Sequence, residues 1–133
     1  MTPVDLGHLG DLQKALQVSA DLARHYDAEV VYVGVSAAAP SATAHNPAEF
    51  KAKLTALANE QAQTHGIKTS ADPVACHDPA KDVDDALLKA SRDTGADLVV
   101  MASHMPSVLD YIWPSNGGKI AEHAKCSVMV VRG

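Results

Sequence analysis

Glu29-Val30-Val31-Tyr32-Val33-Gly34-Val35 is apolar at nearly every position and rich in β-branched side chains. Alternation of apolar and polar residues would mark a strand with one wet face. Continuity marks a strand covered on both faces, as in a parallel sheet. Asp97-Leu98-Val99-Val100-Met101-Ala102 reads the same way, and Cys126–Arg132 is a final strand. Between them lie helical patterns. Leu12, Ala15, Leu16, Ser19, Leu22, Ala23 and Tyr26 share one helical face, with Asp11 as the expected N-cap. Asn46-Pro47 opens a second helix, with Phe50, Leu54, Leu57, Ala58 and Gln61 inward and Gly66 at its end. Asp78-Pro79 opens a third, which Gly95 closes, and Ser115 or Asn116 caps a fourth to about Ala124. Thr2–Asp5 is a short first strand, and Ile67–Cys76 is a weaker one whose Pro73 suits a sheet edge or a strand end. Strands alternating with helices imply an α/β domain with a mainly parallel sheet, here one domain spanning residues 1–133.

The chain has 133 residues, 47% of them hydrophobic and only 4% aromatic, so Ala, Val and Leu must build the core. A chain of this size needs no disulfide or metal staple. Eleven Lys and Arg face sixteen acids, with no basic run. Sequence-independent binding to nucleic acid therefore lacks its cations. No apolar run is long enough to span a bilayer, so no membrane partner is expected. Asp5 and Asp11 near the start do not suit a signal peptide, and the two cysteines read as free thiols of a cytoplasmic protein.

In a parallel sheet, ligands sit beyond the carboxyl ends of the strands, where the strand order reverses. The segments on that edge are Pro3–His8, Val35–Ala38 and Ala102–Asn116. Common signatures are missing from all three. Gly117-Gly118-Lys119-Ile120 lacks the upstream glycine and the hydroxyl of a phosphate loop. Gly7-His8-Leu9-Gly10 reads as turn chemistry, and no G-x-S-x-G elbow occurs. His77-Asp78 with Asp82 fits no standard metal spacing, so no metal site is expected.

Pro3-Val4-Asp5, Glu29–Val35, Gly95-Ala96-Asp97-Leu98-Val99-Val100-Met101-Ala102-Ser103-His104, Ser115-Asn116 and His123–Arg132 together resemble the universal stress proteins over essentially the whole chain. The Ala-Ser-His-x-Pro start and Ser-Asn end of the long loop look most like the small bacterial F- and G-type members. The resemblance implies a three-layer sandwich: a five-stranded parallel sheet in the order 3-2-1-4-5, with four helices. It implies a stress-response regulatory protein that binds an adenine nucleotide, ATP or AMP, at the carboxyl edge of the sheet. Magnesium is left open. By position, Pro3 and Asp5 match the residues flanking adenine and ribose, and Val35 the backbone contact to adenine. Met101, Ala102, Ser103 and His104 match the turn under ribose and phosphates. Ser115 and Asn116 match the helix start that holds phosphate, where unpaired N–H groups and the dipole favour an anion.

Three departures qualify that expectation. Ala102, Met105 and Pro114 stand where the nucleotide-binding branch carries glycines, and the Pro106–Trp113 spacer is one residue short. Proline removes a backbone donor and fixes φ, so the grip on a triphosphate is degenerate. Only Met1-Thr2 precedes Pro3, where members of the family carry a longer apolar run; either the first strand is truly short or the chain begins at an internal start, and the latter is the expectation. Simpler roles also stand beside the ligand roles. Asp5 could cap a turn, His104 could be a surface histidine, and Tyr111 and Trp113 could pack the loop. Cys76 and Cys126 read as inert. Two alternatives remain: a dimeric stress protein that binds no nucleotide and acts through protein partners, and a slow ATP hydrolase. No activated nucleophile with a paired base is present, which leans away from an enzyme and leaves no catalytic residue to name. The apolar stretch Ser127–Val131, at the sheet edge in the implied order, suggests a homodimer.

Overall fold

The computed structural model describes residues 1–37, 44–103 and 116–133. Along them run β1 (Thr2–Val4), a 3₁₀ segment (Leu6–Leu12), α1 (Gln13–Tyr26), β2 (Glu29–Ala37), α2 (Pro47–His65), β3 (Lys68–Cys76), α3 (Pro79–Asp93), β4 (Leu98–Ala102), α4 (Asn116–His123) and β5 (Ser127–Val131). The α/β alternation with four helices is as expected. β1 pairs with β2, β2 with β3 and β4 with β5, all parallel.

The strands are hydrogen-bonded as two sheets, one of β1, β2 and β3 with β2 central, the other of β4 and β5. Among the described residues, the main-chain hydrogen bonds between the two sheets are made by Met1, the residue just before β1. The Met1 amine donates to the Leu98 carbonyl at 2.9 Å, and the Val100 N–H donates to the Met1 carbonyl at 3.0 Å. The reason is length and chemistry. β1 has three residues, and Pro3, two positions on from Met1, has no N–H to make another rung.

β2 shows why its sequence is continuously apolar. Val30 and Tyr32 face a core shared with Leu12 of the 3₁₀ segment, Leu16 of α1, and Phe50, Leu54 and Leu57 of α2. Val31, Val33 and Val35 face the opposite core, with Val83 and Leu87 of α3, Val99 and Met101 of β4, and Ile120 of α4. Helices thus lie on both faces. Gly34 is required on this strand, because a Cβ there would stand 2.9 Å from the Phe50 ring.

The ends of the elements follow local chemistry. Asn46 Oδ1 accepts from the Glu49 N–H at 2.8 Å, and Gly66 closes α2 at φ 64°. β3 runs straight through Pro73, as an edge strand allows, since among the described residues it pairs with β2 alone. The expected cap at Asp11 is not used. α1 begins at Gln13, and the preceding segment is a 3₁₀ turn capped by Asp5 instead. A buried pair, Thr2 Oγ1 and Ser19 Oγ at 2.8 Å, ties β1 to α1.

Candidate functional site

The carboxyl ends of β1, β2 and β4 lie at one edge. Val4 stands opposite Gly34, so Asp5 emerges beside Val35. Ala102 ends β4 and packs against the cluster that contains Val4. The N–H of Ser103 donates to the Val131 carbonyl at 2.8 Å, which holds the chain against β5 as it leaves β4.

Asp5 is the best-defined side chain of this edge. Its Oδ1 accepts from the Gly7 N–H at 2.9 Å, and its Oδ2 pairs with His8 Nδ1 at 2.8 Å. Its side chain is only 10% exposed. The carboxylate is therefore fixed in orientation by its own turn. An ionised carboxylate offers about four acceptor positions, so two remain for a ligand's hydroxyls. The capping role and the ligand role are thus compatible. His8 was not among the residues expected from sequence. Its place three residues after Asp5 brings the two together only because the 3₁₀ turn forms.

The other expected residues divide into side-chain and main-chain contributors. Pro3 is buried in β1. Val35 sits opposite Val74 and packs toward the α3 and α4 core, so it presents its backbone. Met101 is 2% exposed and belongs to that same core. It too can serve a ligand only through its main chain. Asn116 is the first residue of α4. Gly117 lets this helix start lie close on β5, since a Cβ would meet Val130 at 3.1 Å. Lys119 pairs with the buried Asp84 at 3.2 Å and ties α4 to α3. His104 and Ser115, with Met105, Tyr111, Trp113 and Pro114, lie outside the described residues.

Elsewhere the polar groups have structural work. Asp82 Oδ2 accepts from the Asp78 N–H at 3.0 Å at the start of α3. Among the described residues no three His, Cys, Asp or Glu side chains gather as a metal site would need. Burial, helped by Asp82 and Asp78, pushes the Cys76 thiol up from its ordinary value, which disfavours the reactive thiolate. No helix among the described residues is long and apolar enough to cross a membrane.

The sequence profile of the Universal stress protein family matches residues 1–132. Universal stress protein G of Shigella flexneri is 29% identical over 136 aligned positions, covering 98% of this chain and 95% of the relative. A universal stress protein solved in complex with cAMP superposes with a TM-score of 0.68 at 20% identity, over 98% of this chain and 94% of its own. The universal stress protein from Archaeoglobus fulgidus in complex with dAMP gives 0.65 at 14% identity, over 97% and 93%. At such identities these two superpositions speak for the fold.

Proposed function

Since the chain belongs to the Universal stress protein family, we propose that it is a stress-response regulatory protein that binds an adenine nucleotide at the edge formed by the ends of β1, β2 and β4. The observation that carries this reading is the fixed, nearly buried carboxylate of Asp5 beside the end of β2. It suits the hydroxyls of a ribose. The main chain at Val35 suits an adenine edge, and the opening of α4 at Asn116 suits phosphate. Ser103, His104 and Ser115 complete the proposed set, with Pro3, Met101 and Ala102 as its floor. Fold neighbours solved with cAMP and dAMP support the ligand class.

The proposal extends to a monophosphate in preference to a triphosphate, because Pro114 supplies no N–H where a phosphate-binding glycine would. It also includes one continuous sheet in the order 3-2-1-4-5, a single domain over 1–133, a cytoplasmic setting and a homodimer paired along β5. In this reading the chain's own residues bind and orient the nucleotide. Titration with labelled AMP and ATP at up to millimolar concentration tests the reading. Saturable AMP binding that Asp5→Ala abolishes is the expected result. A folded chain with no saturable signal for either nucleotide supports the second reading, a dimeric protein acting through protein partners. That reading is favoured by the exposed edge residues Met129 and Val130.

A further inference from the structure

Lys119 and Asp84 form a pair that packing alone does not account for. Both helices that carry them run away from the carboxyl ends of the strands, α3 after β3 and α4 before β5, and Val83, Leu87 and Ile120 join them in one core. Asp84, in the second turn of α3, is 8% exposed. Its Oδ2 takes the Lys119 ammonium at 3.2 Å, while its Oδ1 is buried with no hydrogen-bond partner among the described residues. A buried carboxylate with one oxygen unpaired is costly, and an apolar residue would join two helices at least as well. Lys119 is equally out of place. It stands in the first turn of α4, where unpaired N–H groups and the helix dipole already make the field positive. A first turn favours acids, yet α4 carries none there. Gly118 completes the picture. A Cβ at that position would meet no atom within 4 Å, so packing does not demand the glycine, and the first turn is left bare of a side chain there. An anion at the head of α4 accounts for both oddities: it offsets the lysine against the dipole, and it gives the buried aspartate a lysine to hold ready.

We propose that Lys119 is a phosphate-binding residue with two partners: Asp84 while the site is empty, and the phosphate of a nucleotide once one is bound. This rests on the adenine-nucleotide reading above and adds to it the side chain that distinguishes a nucleotide from a nucleoside. The reach is adequate. Lys119 lies about 4.5 Å along the helix axis from Asn116, its side chain leans back toward the N-terminus as all helical side chains do, and its stem is long and flexible. The Lys119 side chain is 52% exposed, so it can leave Asp84 without opening the core. A phosphate group offers the ammonium more negative charge and more acceptor oxygens than one carboxylate does. A point charge also needs no particular loop geometry. Lys119 therefore makes up for the backbone donor that Pro114 does not supply. Asp84 acts as a competitor: it keeps the ammonium in place beside the empty site and weakens the grip on phosphate by the free energy of that pair.

The test measures the affinities for AMP and for adenosine by calorimetric titration of the natural chain and of Lys119→Met, Lys119→Arg and Asp84→Asn. Lys119→Met is expected to weaken AMP binding about threefold to fivefold and to leave adenosine binding unchanged. Lys119→Arg keeps the charge and should keep the preference for AMP. Asp84→Asn frees the ammonium and should strengthen AMP binding by a similar factor, again with adenosine unchanged. The opposite signs are the decisive result. A pair that only ties α4 to α3 would make Lys119→Met and Asp84→Asn shift both ligands in the same direction, and that outcome overturns the proposal. Should Asp84→Asn fail to fold, the exposed Lys119 still decides: equal AMP affinity in the natural chain and Lys119→Met overturns the assignment and leaves the nucleotide reading standing. A natural chain that binds neither AMP nor adenosine overturns both.

Discussion

Tyr32 is wholly buried at the centre of β2, and its hydroxyl has no hydrogen-bond partner among the described residues. Leaving such a group unpaired costs about 1–3 kcal/mol. Tyr32→Phe should therefore be neutral or stabilising by about 1 kcal/mol in urea unfolding. Burial also pushes the Tyr32 phenol up to about 12. The unfolded chain loses this proton near pH 10, before the folded one does, so stability should fall between pH 10 and about 12. The Phe variant should lose less over that window, and equal slopes for the two proteins would remove the assignment. At the phosphate end, Pro114→Gly restores one backbone donor. A hydrogen bond to a charged group is worth roughly 1.5–3 kcal/mol, so the ATP-to-AMP affinity ratio should rise by about tenfold or more. An unchanged ratio in a folded variant would show that position 114 does not face the phosphates.

Among the elements, the most readable feature was the start of α2. Asn46 and Pro47 announce a helix, and the structure uses Asn46 as its cap. Asn46→Ala should cost about 1 kcal/mol and lower Tm by about 4 °C, measured by calorimetry. Glu49 adds to this turn. Its carboxylate accepts from the His45 N–H at 3.0 Å and pairs with Lys53, which holds its carboxyl below the usual range. That contribution is present at neutral pH and is lost as Glu49 protonates in acid. The start of α1 was less readable. Asp11 has the right chemistry and place for a cap, yet Asp5 takes the equivalent role six residues earlier, because a 3₁₀ turn fits between the end of β1 and Gln13. The same local event decides the site. Asp5 was legible as a strand-end carboxylate, whereas its bond to His8 depends on a turn geometry that spacing alone does not specify. Met101 was legible both as a position in the motif and as part of a strand buried on both faces; which core it joins was not, because only the packing of α3 and α4 decides that.

Across the whole molecule, strand type was readable and strand continuity was not, because β1–β4 contact depends on how many residues β1 brings to it. The outer edge next to β4 is β5, which among the described residues pairs with β4 alone. Met129 and Val130 there are 40% and 39% exposed, large apolar side chains on an edge with neither charge nor proline between Ser127 and Val131. Such an edge invites pairing with another chain. The ladder says which groups are free to pair. The Ser127 N–H bonds to Asp97 and the Val131 carbonyl accepts from Ser103, so the odd-numbered residues of β5 face inward. Val128 and Val130 then direct their main-chain groups outward. Two copies joined antiparallel along this strand form a closed, two-fold interface, which leaves no open edge to propagate. Val130→Pro removes an outward donor while sparing the bonds to β4, and Met129→Lys places like charges near the axis. Light scattering should give twice the 13.9 kDa of one chain for the natural sequence and a shift toward one chain for both variants. A chain that stays monomeric at tens of micromolar would overturn the dimer and leave the edge to be shielded within the chain itself.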